Sequence, residues 1–434
     1  MDYSFSELEE WDQRILEIAT KNGLDPFPIE YEFIDYQSMI GAMAFHGLPS
    51  HFNHWSFGKS YERTLHSYNA GAEGLPYELI LNSNPSLAYM MRENPLHLQI
   101  LIMAHCVGHS DFFKNNRTFK GTRPDTIVGR CRAAKKRFQA YVEDPSIGID
   151  MVEETIDACH AIQFQIQRPG WLRRTRSEII FDHNEKMKED SKTLWLDTSR
   201  NPLEPDYDIL GFISENSNLP SWKRDIIDVC RDEGKYFWPQ IQTKIMNEGW
   251  ASYWHYTILQ ELDLPPEIHL AFIKSHNQVI RPHIGGINPY HLGFQLFQRI
   301  KERHGIDEMF IARDVHHDAS FLRQYLTQVD CEELNLFSYS RKKNDDTSID
   351  DVSDEDGWDY VKKDLVNQVG GGSIPVLYVA DMRRDGGLVL GHEHDGRELE
   401  AFEASSALDH IKVLCERPVI LDTIINEQHY KFET

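Results

Sequence analysis

Cysteine is scarce and scattered in this sequence. Six are spread over 434 residues, at positions 106, 131, 159, 230, 331 and 415, and no two form a CxxC pair. That pattern excludes a disulfide framework and a zinc ribbon, and it fits a reducing compartment. Long apolar runs are missing as well. No stretch approaches the roughly 20 apolar residues that a membrane span needs. The N-terminus, MDYSFSELEEWDQRILEIA, has neither the basic nor the apolar segment of a signal peptide. The expectation is a cytoplasmic protein with no membrane span. Cations are also in short supply, with 45 Lys and Arg against 69 Asp and Glu, a formal charge of -24. Such a chain repels phosphate unless it hides a basic groove. The best basic cluster, Arg168 to Arg176 with Arg173 and Arg174, is short and runs into acidic sequence. Cations and other proteins are therefore expected partners, and nucleic acid is not. Nucleophile-elbow, Walker A and Rossmann motifs are absent. Gly370-Gly371-Gly372 precedes an expected strand rather than a helix, which makes a poor phosphate cradle.

What is present is an ordinary globular balance, 41% hydrophobic and 26% charged, in a chain long enough for two or three domains. The periodicity predicts an α+β protein: a large, mainly α-helical N-terminal region followed by a small C-terminal α+β domain. Ser6 with Glu9 has capping-box spacing and predicts a first helix. Further helices are expected over 96–113 and 149–167, the second ending at Pro169-Gly170. Residues 168–220 read as a looser excursion. Helices resume over 221–233, 240–262, 267–279 and 288–303, and from Ser320. Residues 1–340 form the expected helical core domain. The segment 341–357, RKKNDDTSIDDVSDEDG, is polar and acidic and reads as a linker. In 358–434 the period changes to two: strands at 374–380 and 388–394 joined by the hairpin signal Arg384-Asp385-Gly386-Gly387, then a helix over 399–414 and a strand at 418–423.

Four groups of residues could carry chemistry. His105 and His109 stand at i and i+4 on one expected helix face, so both imidazoles can reach one ion. The spacing is that of the zincin motif, but Cys106 occupies the place of its general-base glutamate. Glu248 and His255 are seven apart, two helical turns, on an aromatic-rich helix. A carboxylate and an imidazole buried there need pairing or a metal. Gly249 beside them predicts close helix packing. Asp157 and His160 have the carboxylate-x-x-His spacing of helical metal bundles. Glu78 sits in an apolar stretch. Each group alone reads equally as buried, hydrogen-bonded polar residues. Together they predict a divalent metal between helices, with iron, manganese and zinc all suited to the donors. In that reading His105, His109, Glu248, His255, Asp157 and His160 are ligands, and Glu248 and Glu78 are the catalytic carboxylates. His51, His54, His316, His317, His392 and His394 read as loop, turn and strand residues.

Several long segments, in order along nearly the whole chain, resemble the SpoVR (stage V sporulation protein R) family. They are His54-Trp-Ser-Phe-Gly-Lys-Ser-Tyr-Glu, Tyr77-Glu-Leu-Ile-Leu-Asn-Ser-Asn-Pro, Ala104-His-Cys-Val-Gly-His-Ser-Asp-Phe-Phe-Lys-Asn-Asn, Asp157-Ala-Cys-His and Tyr236-Phe-Trp-Pro-Gln. Met246-Asn-Glu-Gly-Trp-Ala-Ser-Tyr-Trp-His-Tyr, Asn288-Pro-Tyr-His-Leu-Gly-Phe, Phe321-Leu-Arg-Gln-Tyr-Leu-Thr and Arg417-Pro-Val-Ile-Leu-Asp-Thr follow. The resemblance implies a part in spore cortex formation or in stress and stationary-phase regulation of the cell wall. The partners it implies are a PrkA-type serine kinase and a von Willebrand-like protein. It brings no agreed reaction. Two functions are therefore expected to compete: a regulatory protein of a kinase system, and a metal-dependent hydrolase or oxidase.

Overall fold

A computed structural model describes residues 3–70, 76, 78–167, 174–189, 194–283, 286–341, 347–352 and 357–434. In chain order the elements begin with α1 (Phe5–Lys21), β1 (Ile29–Ile34), α2 (Tyr36–Ala44), α3 (Trp55–Asn69), β2 (Glu78–Leu81), β3 (Ser86–Met91) and α4 (Leu96–Asn115). Next come α5 (Ile127–Glu143), α6 (Gly148–Ile162), α7 (Arg176–Glu189), α8 (Ile209–Asn216), α9 (Ser221–Gln242), α10 (Lys244–Glu261), α11 (Pro266–Val279) and α12 (Pro289–His304). The rest are α13 (Ile306–Val315), α14 (Asp318–Tyr325), α15 (Gln328–Glu333), β4 (Phe337–Arg341), β5 (Thr347–Val352), α16 (Trp358–Gln368), β6 (Leu377–Met382), β7 (Leu388–His392), α17 (Ala401–Cys415), β8 (Val419–Ile425) and β9 (Gln428–Glu433). The protein is α+β and mostly helical. Two compact units divide it, Met1–Lys135 with Pro239–Ser373, and Lys136–Trp238 with Ile374–Thr434. These units group residues 136–238 with the C-terminal strands, where the sequence reading kept 1–340 together.

The first unit is organised around α4. Every residue from Leu98 to Phe113 is buried, so this helix is enclosed all round rather than on one stripe. α10 is nearly as enclosed. The two can lie close because small residues meet at their crossing. A Cβ on Gly108 would fall 2.7 Å from Ala251 Cα. On the other side of α10, a Cβ on Gly249 would fall 2.3 Å from Gly293 of α12. The glycine expected to permit close packing does so. A three-stranded sheet, ordered β1-β3-β2, supplies another wall; β1 runs parallel to β3 and β2 antiparallel to it. Ile15, Ile100, Met103, Trp250, Trp254, Phe272 and Phe297 are among the core side chains.

Several local expectations change. α1 is capped by Ser4, whose hydroxyl accepts from Glu7 N–H at 3.1 Å, and not by Ser6. The expected 240–262 helix is two, because Thr243 leaves helical geometry (φ -127°, ψ 21°). The new N-terminus is capped from afar: the Asp318 carboxylate accepts from the N–H groups of Ile245 and Met246 at 2.8 and 2.9 Å. β1, β2 and β3 were not expected; β2 and β3 are short and show no clean alternation, whereas the apolar–acidic alternation of β1, IEYEFI, was a usable signal. Within 341–357, Thr347–Val352 pairs antiparallel with Phe337–Arg341, so part of that acidic segment is a strand rather than a linker. Its remaining residues, 342–346 and 353–356, lie outside the described residues, as do Arg168, Pro169, Gly170 and Arg173.

The second unit holds a four-stranded sheet ordered β6-β7-β8-β9. The expected hairpin joins β6 to β7, with Gly386 at φ 83°. β7 and β8 are parallel, so α17 is the crossover between them, and it packs on α6. β9 was missed, since it is exposed at all but Phe432.

Candidate metal centre

Three elements of the first unit aim ionisable side chains at one another. α4 presents His105 and His109 one turn apart, α10 presents Glu248, and β2 presents Glu78. All four are buried or nearly so. His105 Nε2 lies 3.6 Å from Glu248 Oε2, and His109 Nε2 lies 3.4 Å from the same oxygen. Glu78 Oε1 is 3.8 Å from His105 Nε2. The donor atoms of Glu78, His105 and His109 all fall within 4.8 Å of one another. Metal–ligand distances of about 2.0–2.1 Å put the ligand atoms of a tetrahedral site roughly 3.3–3.4 Å apart. The edges to Glu248, 3.4 and 3.6 Å, are at or a little above that length.

The outward atoms of the same side chains are engaged elsewhere. His109 Nδ1 bonds Asn247 Oδ1 at 2.9 Å. Glu248 Oε1 accepts from Lys244 Nζ at 2.7 Å. His105 Nδ1 lies 2.9 Å from His255 Nδ1. Glu248 Oε2, by contrast, is buried and accepts no hydrogen bond among the described residues. A buried carboxylate oxygen between two imidazole nitrogens, at distances too long for strong hydrogen bonds, is left short of full hydrogen bonding. A cation bound to all of them removes the difficulty. The donor set of two imidazoles and one or two carboxylates fits a divalent metal, zinc, iron or manganese alike.

Electrostatics divides the two carboxylates. Burial opposes ionisation of Glu248, but the Lys244 ammonium and the imidazoles of His105 and His109 overcome it, holding this carboxyl well below its ordinary range. Burial raises Glu78, and His105 and His109 offset only part of that rise. Burial likewise pushes His109 down, and Glu248 more than reverses it. Tyr290 of α12 stacks on His105, with centroids 6.1 Å apart and planes at 20°. Burial, then the charges of Glu248 and Glu78, raise its phenol, so the hydroxyl stays protonated.

The structure thus brings together His105, His109, Glu248 and Glu78. His255 stands behind His105, with both ring nitrogens engaged by other histidines. Asp157 and His160 lie half-buried on α6, which belongs to the second unit, so the cluster is drawn from the first unit without them. His51 is buried against Phe45, Phe52 and Phe57, and His54 caps α3. His317 and Ser320 form a capping box before α14. Sequence reasoning missed Lys244, Asn247, His276 and Tyr290. Asn247 and Lys244 flank Glu248 in the chain, at i-1 and i-4, and that proximity was a usable signal. His276 shares a helical stripe with Phe272, also a usable signal. Nothing in the chain pairs Tyr290 with His105.

Comparison with known proteins shows the family of the chain. The family described as SpoVR like protein matches residues 2–374. The chain is 30% identical to the uncharacterized protein YcgB of Escherichia coli (strain K12), over 97% of this chain and 92% of that protein. No solved structure matches. The chain belongs to the SpoVR family.

Proposed function

We propose that this SpoVR-family protein is a metal-dependent hydrolase whose metal is held by His105, His109 and Glu248. One observation carries the reading. Glu248 Oε2 lies 3.6 and 3.4 Å from the inward nitrogens of His105 and His109, while each outward atom has its own partner. A metal bound there supplies a Lewis acid and a water activated for attack at neutral pH. Glu78, 3.8 Å from His105 Nε2 and raised by burial, would be suited to take up and return a proton beside that metal. Tyr290, kept neutral, is placed to donate to a negatively charging substrate oxygen. Lys244 and Asn247 orient Glu248 and His109. The set of two imidazoles and one carboxylate suits a hydrolytic zinc site, and it suits iron as well.

The cellular setting we propose is the one that the resemblance implies. It is cortex formation or stress and stationary-phase control of the cell wall, in the cytoplasm, alongside a PrkA-type serine kinase and a von Willebrand-like partner. A purely regulatory protein of that system remains the competing reading, and it makes the cluster a buried polar network.

Elemental analysis of the purified full chain separates the two. The test compares wild type with a His105→Ala/Glu248→Ala double variant. Near-stoichiometric metal in wild type, lost from a still-folded variant, supports the centre. Glu78→Gln should then keep its metal, yet fail to complement a deletion strain. Absence of metal in wild type after reconstitution with zinc, manganese and iron overturns the proposal.

A further inference from the structure

Three buried histidines stand in a row leading away from the centre. His105 Nδ1 meets His255 Nδ1 at 2.9 Å, and His255 Nε2 meets His276 Nδ1 at 2.8 Å. They come from α4, α10 and α11. All three are nearly inaccessible, at 3%, 0% and 2%. Both nitrogens of His255 are used within the row, so no nitrogen is left for a metal. Phe272, Phe294 and Tyr256 surround His276, with ring centroids 6.1, 5.2 and 4.7 Å away.

Each link of this row joins two ring nitrogens, so one must donate and the other accept. A neutral imidazole has one of each. The polarity of the row is therefore set from either end. A metal on His105 Nε2 takes that lone pair and leaves the proton on Nδ1, which then donates to His255 Nδ1. His255 must in turn carry its proton on Nε2 and donate to His276 Nδ1. His276 is left with its proton on Nε2. An apolar wall behind His105 would leave its Nδ1–H unsatisfied in the metal-bound state; a row of two acceptors does not.

We infer that His255 and His276 are positioning residues for the metal centre, binding no ligand themselves but holding His105 in the tautomer whose Nε2 faces the metal. The inference rests on the metal reading above. Outer partners of metal-bound histidines typically matter by about 10- to 100-fold in metal affinity. His276 acts at two removes, through His255.

The test uses the full chain with cobalt(II) or zinc(II) alone as the probe. His276→Leu removes the terminal acceptor, and His276→Asn keeps an acceptor oxygen in the place of Nδ1. His276→Leu should bind cobalt(II) roughly 10-fold or more weakly, whereas His276→Asn should stay within about three-fold of wild type. An Asn variant as weak as the Leu variant, or a folded Leu variant with wild-type affinity, overturns the inference. In the zinc-loaded wild type, nitrogen-15 spectra of the imidazoles should show His105 protonated on Nδ1 and His255 and His276 on Nε2, a signature that packing alone does not set. Zinc bound with His255 protonated on Nδ1 overturns the inference and leaves the metal centre standing. A wild type that binds neither metal overturns both.

Discussion

Lys244 and Glu248 sit one helical turn apart on α10, and their 2.7 Å ion pair leaves the second carboxylate oxygen facing His105 and His109. The lysine is more than half exposed and the glutamate is buried, so the pair joins solvent to the interior. Removing the lysine strands a buried anion.

Lys244→Met is expected to destabilise the metal-free protein by about 1–2 kcal/mol. That lies between an exposed helical pair, at ~0.3–0.5 kcal/mol, and the breaking of a fully buried one, at ~3–5 kcal/mol. Urea denaturation measures it. Added zinc should restore much of the loss, since a cation at the centre again neutralises Glu248. A variant as stable as wild type without metal would show that Glu248 needs no partner there.

Two glycine-to-alanine changes should move stability in opposite directions. At Gly249 the new methyl would lie 2.3 Å from the main chain of Gly293, with no flexible side chain to yield. Gly249→Ala should cost more than about 3 kcal/mol or prevent folding, because two helices must separate. Gly58, inside α3, would meet nothing within 4 Å. Gly58→Ala should stabilise by up to about 1 kcal/mol through helix propensity alone. Thermal unfolding of both variants decides it; a tolerated Gly249→Ala would contradict the tight crossing of α10 and α12.

Asp318 links the start of α10 to pH. Burial lifts its carboxyl from 3.8 to about 7 against the hydrogen bonds from Ile245 and Met246. The folded protein thus keeps a proton that the unfolded chain gives up near 3.8. Stability from this group is full below that value and lost as the pH rises toward about 7. Asp318→Asn should flatten the fall in stability over that window. Urea midpoints measured across it should show a shallower slope than wild type; equal slopes would place the titration elsewhere.

Asp330 has the opposite sign. Burial opposes its ionisation, but Arg303, Thr327 and Arg299 outweigh that and depress its carboxyl. Its contribution is present above the ordinary aspartate range and lost as the pH falls below it. Asp330→Ala leaves Arg299 and Arg303 facing each other without their shared anion. The expected loss is about 2–4 kcal/mol, below the fully buried figure because Arg303 is partly exposed. Calorimetry at neutral pH should show it, and the difference from wild type should shrink in acid. A constant difference would argue against a charge effect.

Much of the candidate centre was legible in the chain. The i, i+4 pair of His105 and His109 and the carboxylate Glu248 stand on largely enclosed helices, where an ionisable group needs a partner. Glu78 stood out for the same reason, although its strand did not. The spacing rule that found His105 and His109 also selected Asp157 with His160, and it gave no means of telling that these belong to another unit. His255 was placed on the correct helix face, but a seven-residue spacing defines a face and not depth along it. It turns to His105 and His276 rather than to Glu248.

By itself the sequence determined the long apolar helices and which side chains must find polar partners there, because periodicity and apolarity are local properties; shorter helices such as α2, α3 and α13 were not read. Only the tertiary structure decided the partners. Whether an inward imidazole meets a carboxylate or another imidazole depends on how closely α4, α10 and α12 approach. That approach is set by Gly108 against Ala251 and Gly249 against Gly293, residues at least 44 positions apart in the chain. A missing side chain carries no hydrophobic or charge signal, so the contacts that fix the geometry of the centre are the ones the sequence shows least.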